Sequence, residues 1–319
     1  MGIKDTVTIK YMKQNEIFAD AFNYFIYGGE QVIKPDCLEE LDTREIGVPY
    51  GGEKGEKQPV HKARDIIKTV TAMTDKRTAY LLLAIENQSN IHYAMPVKNL
   101  VYDALQYAKQ VERAISSHKK SGDYKEAGSD EYLSGFMKED RLMPVVTLTV
   151  YFGAKKWDGP MCVHEMFGEQ DERVLALVQD YKINLLAPAS VEENDFDKFQ
   201  TTLKEVMKFI KYSEDADKLE EAVSKDEKFL HLGRNEVDVL NTCVSANLAV
   251  HEDEEVIDVC GAIQTIADRA AKRATEQTRM DSIKNLMEKM GWSAEQSMDM
   301  LGVPENERQL LLQQINSPE

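Results

Sequence analysis

Cysteine is scarce and scattered in this sequence. The 319 residues include only four cysteines, Cys37, Cys162, Cys243 and Cys260, and no two of them form a C-x-x-C pair. This spacing argues against a structural zinc cluster and a disulfide framework. The glycine-rich stretch at residues 47–57 contains no G-x-x-x-x-G-K-[ST] register, so the sequence also lacks a Walker-type phosphate loop.

Long apolar runs are absent as well. No stretch approaches the roughly 18 apolar residues that a bilayer-spanning helix needs. The first residues, MGIKDT, lack the apolar segment of a secretory signal. The composition is 42% hydrophobic and 30% charged, which is typical of a globular protein and not of a disordered one. We therefore expect a globular, cytoplasmic protein without a membrane partner.

Acidic residues outnumber basic residues, and the excess is larger in the second half of the chain. The sequence has 39 Lys+Arg and 56 Asp+Glu, a net charge of −17. Residues 1–170 contain 22 Lys+Arg and 25 Asp+Glu, a net charge of −3, whereas residues 171–319 contain 17 and 31, a net charge of −14. A strongly acidic surface repels nucleic acid. We therefore predict two regions with this boundary and expect a phosphate-binding surface only in the first.

Helix and strand signals alternate in the first region. Apolar side chains recur at helical spacing from Asn15 to Tyr27, where a glycine pair follows, and this predicts a helix. Two strands are predicted next, one starting near Asp65 and one that is apolar and ends at Glu86 and Gln88. If the hairpin between them turns at residues 75–76, Asp65 lies opposite Glu86.

The pattern continues with another helix and another strand. A helix is predicted from about residue 97 to His118, and the β-branched run Val145 to Phe152 predicts a strand. The helix is expected to bury its apolar stripe, which consists of Val97, Val101, Leu105, Ala108, Val111 and Ile115. The order helix–strand–strand–helix–strand indicates an α/β layer architecture.

Beyond residue 171 the periodicity is mainly helical. A long helix is predicted at about residues 254–290. Ser293 and Gln296 have the spacing of a capping box, which predicts a further short helix that stops at Gly302. We therefore expect an acidic, mainly helical second region.

Polar side chains at the ends of the two central strands are the candidate site. Glu86 and Gln88 share one face of their strand because side chains alternate, and Asp65 lies opposite on the next strand. Burying such polar groups without hydrogen-bond partners costs roughly several kcal/mol. A bound Mg²⁺ would turn the repulsion between Asp65 and Glu86 into a ligand set and could activate a water. A solvated strand end explains the same pattern, so both interpretations stay open at this point.

Six short motifs occur in a specific order. They are FADAFNYF (18–25), RD (64–65), LLLAIENQ (81–88), HYAMPV (92–97), YDALQY (102–107) and VVTLTVYFG (145–153), the last followed by Trp157. This ordered set resembles the Rpn family of recombination-promoting nucleases and putative transposases, a branch of the PD-(D/E)XK nuclease superfamily. The resemblance covers residues 1 to about 170 and continues less specifically into the helical region.

The resemblance implies a fold, a metal and a set of residues. The fold would be a restriction-endonuclease-like mixed sheet flanked by helices, and Asp65 and Glu86 would bind Mg²⁺ or Mn²⁺. Gln88 stands where the superfamily usually has lysine, which departs from the superfamily pattern but agrees with the family. Lys98 stands where the family pattern has an arginine. Many superfamily members use an acidic residue on the first helix, and Glu16 is the nearest candidate.

We therefore predict a metal-dependent DNA endonuclease that hydrolyses phosphodiester bonds and promotes DNA recombination. Its catalytic residues would be Asp65, Glu86, Gln88 and Glu16, and its first region would bind DNA, with a homodimer as the form suited to double-strand cleavage. One basic cluster near the proposed site is the candidate for contact with the DNA backbone. Its members are Lys62, Arg64, Lys68, Lys76 and Arg77.

Two alternatives belong to other classes of protein. The first is a nuclease-derived interaction or DNA-binding module without turnover, which the net charge of −17 and the glutamine in place of lysine favour. The second is an acidic helical scaffold that the first region only stabilises. Metal binding separates an active enzyme from the binding module, because an ion that binds only the folded protein also stabilises it. The scaffold predicts no DNA binding at moderate salt.

Overall fold

A computed structural model describes residues 3–41, 44–47, 60–63, 65–74, 77–122, 128–246, 248, 259, 280–303 and 308. It describes the side chains of all of these except 44–47, 60–63, 71–74 and 77–82. The strands in these residues are β1 (Leu38–Glu40), β2 (Arg44–Gly47), β3 (Val60–Ala63), β4 (Ile66–Thr74), β5 (Arg77–Gln88), β6 (Val145–Tyr151) and β7 (Asn184–Leu186). The helices before β7 are α1 (Ile3–Met12), α2 (Asn15–Tyr27), α3 (Met95–Ser121), α4 (Ser129–Ser134) and α5 (Glu172–Leu175). Those after it are α6 (Leu203–Tyr212), α7 (Ala216–Ser224), α8 (Arg234–Val244), α9 (280–290) and α10 (Ala294–Met300).

Five strands form one mixed sheet in the order β1-β4-β5-β6-β7. β4 pairs antiparallel with both β1 and β5, whereas β6 pairs parallel with both β5 and β7. A parallel neighbour requires a crossover, and α3 provides it between β5 and β6. The α/β class that the sequence predicts is therefore confirmed. β2 and β3 form a separate two-stranded hairpin.

The predicted register of the central hairpin is also confirmed. Ile66 pairs with Ile85 and Thr74 pairs with Arg77, so the next positions beyond the last antiparallel pair are Asp65 and Glu86. Register is strongly specified here because a slip by one residue would exchange the faces of an entire buried strand.

The helix predicted from Asn15 to Tyr27 has these bounds in the structure. Gly28 follows it in the left-handed region, with φ of 62°, which a side chain with a Cβ adopts only at a cost. Its N–H donates to the carbonyl of Tyr24 at 3.1 Å, and the N–H of Gly29 donates to Asn23 at 3.0 Å. These bonds satisfy the last carbonyls of α2.

α3 buries a different face from the one predicted. Val97 is 41% exposed, and the other members of the predicted apolar stripe are only half-buried. The face that lies on the sheet carries polar side chains, namely Asn99, Asp103, Gln106 and Gln110. Asn99 donates to Thr149 at 2.9 Å, and Thr147 donates to Asp103 at 2.5 Å. The prediction was wrong because hydrogen bonds to threonines of β6, together with the buried side chains of Met95 and Tyr102, dock this helix, and the predicted apolar stripe does not.

Helices from both predicted regions share one core. Phe18 and Phe22 of α2 lie in the same buried cluster as Phe196, Phe209 and the inner face of α8. Gln200 and Thr201 donate their backbone N–H groups to the buried carboxylate of Asp20. β7, at residues 184–186, completes the central sheet. The predicted division at residue 170 follows a change in net charge, whereas the packing of the core crosses it.

The C-terminal part is described only in places. Residues 254–258 and 260–279 of the predicted long helix lie outside the described residues, and residues 280–290 are helical. The capping box is confirmed, since Gln296 N–H donates to the Ser293 hydroxyl at 3.2 Å and Ser293 N–H donates back at 3.0 Å. In the described part of the chain, no helix has the length and apolar character to cross a membrane.

Lys68 of β4 is a buried lysine, only 1% exposed. Its ammonium donates to the carbonyl of Lys13 at 2.7 Å and to the side chain of Asn15, which joins the end of α1 and the start of α2 to the sheet. The ammonium also lies 4.8 Å from the ring centre of Phe18. The prediction that Lys68 contacts DNA is therefore wrong, because its side chain does not reach the surface.

We expect Lys68→Ala to lower the free energy of unfolding by about 2–4 kcal/mol, since it leaves a cavity and two oxygen acceptors without their donor. Urea denaturation followed by circular dichroism measures this change. Lys34→Ala, at an exposed position, is the matched control and should change stability by less than about 0.5 kcal/mol. Equal effects of the two substitutions would contradict the structural role of Lys68.

Candidate active site

The candidate site lies where β4 begins and β5 ends. Asp65 directly precedes β4, and its Oδ2 accepts a hydrogen bond from the backbone N–H of Asn87 at 2.9 Å. This bond ties the carboxylate to the neighbouring strand just beyond the last antiparallel pair. The sheet therefore brings Asp65 and the end of β5 together, as the sequence register predicts.

Glu86 points toward α3 and is almost fully buried, with 1% of its side chain exposed. The ammonium of Lys98, from the first turn of α3, lies 2.8 Å from Glu86 Oε2. Burial alone would lower the pKa of Lys98, but the adjacent Glu86 carboxylate outweighs it and raises that pKa. The pair is therefore a charged, partly buried ion pair, which is strongly destabilised when one partner is removed.

Gln88 and Asn87 follow Glu86 with the predicted alternation. Glu86 pairs with Thr149, whose side chain contacts α3, so Glu86 lies on the face of the sheet that α3 covers. Asn87 pairs with Val150, which lies in the apolar core on the opposite face. Gln88 donates from Nε2 to the backbone carbonyl of Asn87 at 2.7 Å. The amide of Asn87 is 4% exposed, and neither its oxygen nor its nitrogen has a hydrogen-bond partner within the described residues.

A cleft of about 320 Å³ opens at this end of the sheet. Asp65, Asn87, Gln88 and Lys98 line it, and so does Asp5 from α1. Asn90 and His92 also line it, so the cleft combines two carboxylates, three amides, one imidazole and one ammonium. Such groups bind a hydrated cation or a phosphate.

Asp5 is a member of the cleft that the sequence interpretation missed. The pKa of Asp65 is raised, mainly by burial and in smaller part by the negative charge of Asp5, while Asn87 N–H and the Lys98 ammonium oppose the rise. The acidic residue predicted on the first helix was Glu16 of α2, whereas Asp5 lies on α1. The short helix α1, at residues 3–12, has only a weak amphipathic pattern.

Glu16 does not line this cleft. It lies at the start of α2 and faces a separate cavity of about 570 Å³ that it shares with Thr202, His231 and Glu236. The structure thus brings Asp65, Gln88 and Lys98 together, with Glu86 bound to Lys98, and places Glu16 elsewhere. Its predicted catalytic role gains no support from this position.

No group of three or more His, Cys, Asp or Glu side chains is arranged to enclose a metal ion in the residues that the structure describes. The oxygen donors of the cleft nevertheless suit Mg²⁺, because this ion is usually held by one or two carboxylates and keeps several waters. Asp5 and Asp65 repel each other across the cleft, and a cation would relieve that repulsion. The donor set therefore fits a partly hydrated, hard cation.

Comparison with known families identifies the chain. A family model described as "Putative transposase, YhgA-like" matches residues 63–236, more than half of the sequence. The chain belongs to this family. The predicted membership of the Rpn group of putative transposases is thereby confirmed. Neither the curated proteins nor the solved structures contain a match to the sequence.

The YhgA-like match includes most of the cleft. It begins just before Asp65 and continues through Glu86, Gln88 and Lys98 to α8. Asp5 and Glu16 precede it, so their positions rest on the structure of this chain alone. The match also runs across residue 170, in agreement with the shared core.

The predicted basic cluster near the site is only partly described. Arg64 and Lys76 lie outside the described residues, as do the side chains of Lys62 and Arg77. Lys68 is buried in the core. Of the positively charged side chains in the described residues, Lys98 is the one that lines the cleft.

We expect Asp65→Asn to stabilise the protein in EDTA at pH 8. Because burial and Asp5 raise the pKa of Asp65, folding favours the protonated acid, and wild-type stability falls as the pH rises through that pKa. Asparagine keeps the acceptor for Asn87 N–H but cannot ionise. Thermal melts between pH 4 and pH 8 should show the gain shrinking toward low pH.

Glu220→Gln, at an exposed position of α7, is the matched control for the loss of one negative charge. It should show no such pH dependence. A gain for Asp65→Asn that is equal at pH 4 and pH 8 would contradict the assigned burial of the carboxylate.

Proposed function

We propose that this protein is a metal-dependent DNA endonuclease that hydrolyses phosphodiester bonds and thereby promotes DNA recombination. The observation that carries the proposal is the placement of Asp65, directly before β4, next to Glu86 of the adjacent strand β5 and the ammonium of Lys98. Membership in a putative transposase family supports a reaction on DNA. The mixed sheet, with α3 as the crossover between β5 and β6, agrees with the restriction-endonuclease-like core that the resemblance implies.

Mg²⁺ or Mn²⁺ is the proposed cofactor, with Asp65 and Glu86 as the ligands and Asp5 as a further carboxylate at the cleft. A bound ion of this kind lowers the pKa of a water and stabilises charge on a phosphate oxygen. A phosphate arriving in the cleft would supply additional oxygen ligands, in keeping with the small number of carboxylates.

Lys98 supplies the positive charge that Gln88 cannot. Lysine is an ammonium donor at neutral pH, whereas the glutamine amide carries no charge. The raised pKa of Lys98 keeps its ammonium protonated beside Glu86. We assign to Lys98 the binding of a phosphate oxygen and to Gln88, which lines the same cleft, the orientation of the attacking water. The superfamily's lysine function would thus be provided from α3 and not from β5.

Two further parts of the proposal concern the setting of the reaction. Cleavage of both strands of a duplex needs two sites, so a homodimer is the assembly that suits this activity. The cytoplasm is the proposed location, because three cysteines in the described residues, Cys37, Cys162 and Cys243, are all free thiols.

A binding module without turnover is the second candidate. It is favoured by the ion pair between Lys98 and Glu86, which already neutralises one of the two proposed metal ligands. A module of this kind would bind DNA without cutting it, and its thermal stability would not change with Mg²⁺ or Mn²⁺. Metal-dependent stabilisation that disappears in Asp65→Ala would argue for the enzyme.

We expect purified wild-type protein to nick or linearise supercoiled plasmid in Mg²⁺ or Mn²⁺ and to leave it intact in EDTA. Asp65→Ala and Glu86→Ala should each reduce the rate by about 100-fold or more, as removal of a group that stabilises transition-state charge does. Glu220→Ala is the control and should cut like the wild type. Circular dichroism should confirm that all variants are folded. An uncut plasmid, or unimpaired variants, would instead favour the binding module.

We expect Lys98→Gln to reduce the cleavage rate by about 10-fold or more because a charged donor to phosphate is lost. Lys98→Arg should retain part of the activity, since it keeps the charge but changes the donor geometry. Loss of the ammonium also leaves Glu86 buried beside a neutral group, so stability must be measured in parallel. The double variant Glu86→Gln with Lys98→Met removes both charges and tests stability alone.

A further inference from the structure

Three basic side chains continue from the cleft along α3; two are exposed and one, Lys109, is half-buried. Lys109, Arg113 and Lys120 follow Lys98 on the same helix. At about 100° per residue, they lie about 20°, 60° and 40° around the helix axis from Lys98. We call the surface formed by Lys109, Arg113 and Lys120 the basic stripe. The basic stripe therefore lies within about 60° of Lys98 around the axis of α3.

The distance from Lys98 to the far end of the basic stripe suits an extended polyanion. With a rise of about 1.5 Å per residue, Lys120 lies about 33 Å from Lys98 along the axis, close to one turn of B-form DNA. Ser116 and Ser117 lie between Arg113 and Lys120 and line the same shallow groove of about 370 Å³. Serine hydroxyls commonly donate to phosphate oxygens alongside lysine and arginine.

The charges of the basic stripe are not neutralised within the described part of the chain. None of its three members forms a salt bridge there, although the net charge of the protein is −17. Lysines of the acidic region behave differently: Lys204 pairs with Asp197 and Asp226, and Lys208 pairs with Glu193. Glu112 is the acidic residue that lines the groove of the stripe.

The end of α3 explains why the stripe reaches solvent. Gln110 is the last buried residue of this helix, so Arg113 and Lys120 lie beyond its buried part. A strand of DNA with one phosphate at Lys98 can therefore place its following phosphates along the same helix without a change in the fold.

We propose that the basic stripe of α3 binds the phosphate backbone of DNA on one side of the phosphate held in the cleft. The proposal rests on the proposed function for the place of the cleaved phosphate, but backbone binding can be measured without cleavage. The stripe contacts backbone and not base edges, so it contributes affinity that is independent of DNA sequence.

The test is binding of the full-length protein to a fluorescent duplex of about 30 base pairs, in EDTA, over a range of salt concentrations. Each phosphate contact contributes about −0.9 to the slope of log K against log salt. We expect the variant K109Q/R113Q/K120Q to lose about 2.7 units of slope, with weaker binding at every salt concentration. The control K34Q/K284Q/K289Q removes three exposed lysines elsewhere and should retain the wild-type slope.

A second variant tests whether weaker binding by the triple variant could result from a folding defect. Glu112→Gln removes the negative charge at the groove and should tighten binding by about 2-fold or more, which a damaged fold cannot do. An unchanged slope in the triple variant, a slope lost equally in the control, or a wild type that binds no DNA would each overturn the proposal. Displacement of the duplex by polyglutamate at equal charge would also overturn it, in favour of an acidic protein partner.

The outcomes separate this proposal from the proposed function. If the stripe variant loses its slope but the wild type never cuts plasmid, the stripe remains a DNA-binding surface and the nuclease assignment fails. If the wild type cuts in a metal-dependent manner but the stripe variant binds DNA with an unchanged slope, the nuclease assignment holds and the stripe proposal fails.

Discussion

The antiparallel register of β4 and β5 decides which side chains meet at the end of the sheet. Ile66 pairs with Ile85, so Asp65 and Glu86 come next at neighbouring positions. The bond from Asn87 N–H to Asp65 continues the contact between the strands beyond their last pair. A slip by one residue would turn Glu86 into the apolar core and Ile85 toward α3. Both the fold and the candidate site therefore depend on this one pairing.

α3 depends on that register in turn, because its polar face must meet the polar face of β6. A net contribution of about 1 kcal/mol per hydrogen bond is modest, but a buried polar group left without a partner costs about 1–3 kcal/mol. Rotating α3 to bury Val97 and Leu105 would separate Asn99 from Thr149 and Asp103 from Thr147. The apolar gain would have to exceed the cost of several orphaned groups. The observed rotation is also the one that directs Lys98 to Glu86.

These constraints explain which features could be predicted from the sequence. α2 and the hairpin were predictable because an apolar periodicity, a glycine stop and a short turn are local signals. The buried face of α3 was not, because periodicity assumes that apolar residues dock a helix, and the threonines that receive it are about 50 positions away. Asp5 was missed for a similar reason. Only the packing of α1 against the sheet and α8 brings it to the cleft.

Net charge is a poor guide to partners in a chain whose charges are arranged in this way. At physiological salt the Debye length is about 8 Å, so exposed carboxylates much farther away are largely screened from a phosphate on α3. Several carboxylates of the acidic region also form ion pairs with nearby lysines, which further weakens the electrostatic potential of these carboxylates at a distance. In the described part of the chain, a phosphate bound as proposed on this face of α3 would lie nearest to Lys98, the basic stripe and Glu112. A protein with a net charge of −17 can carry a locally positive surface, and the position of this surface beside Asp5 and Asp65 supports the proposed metal-dependent reaction on a polyanion.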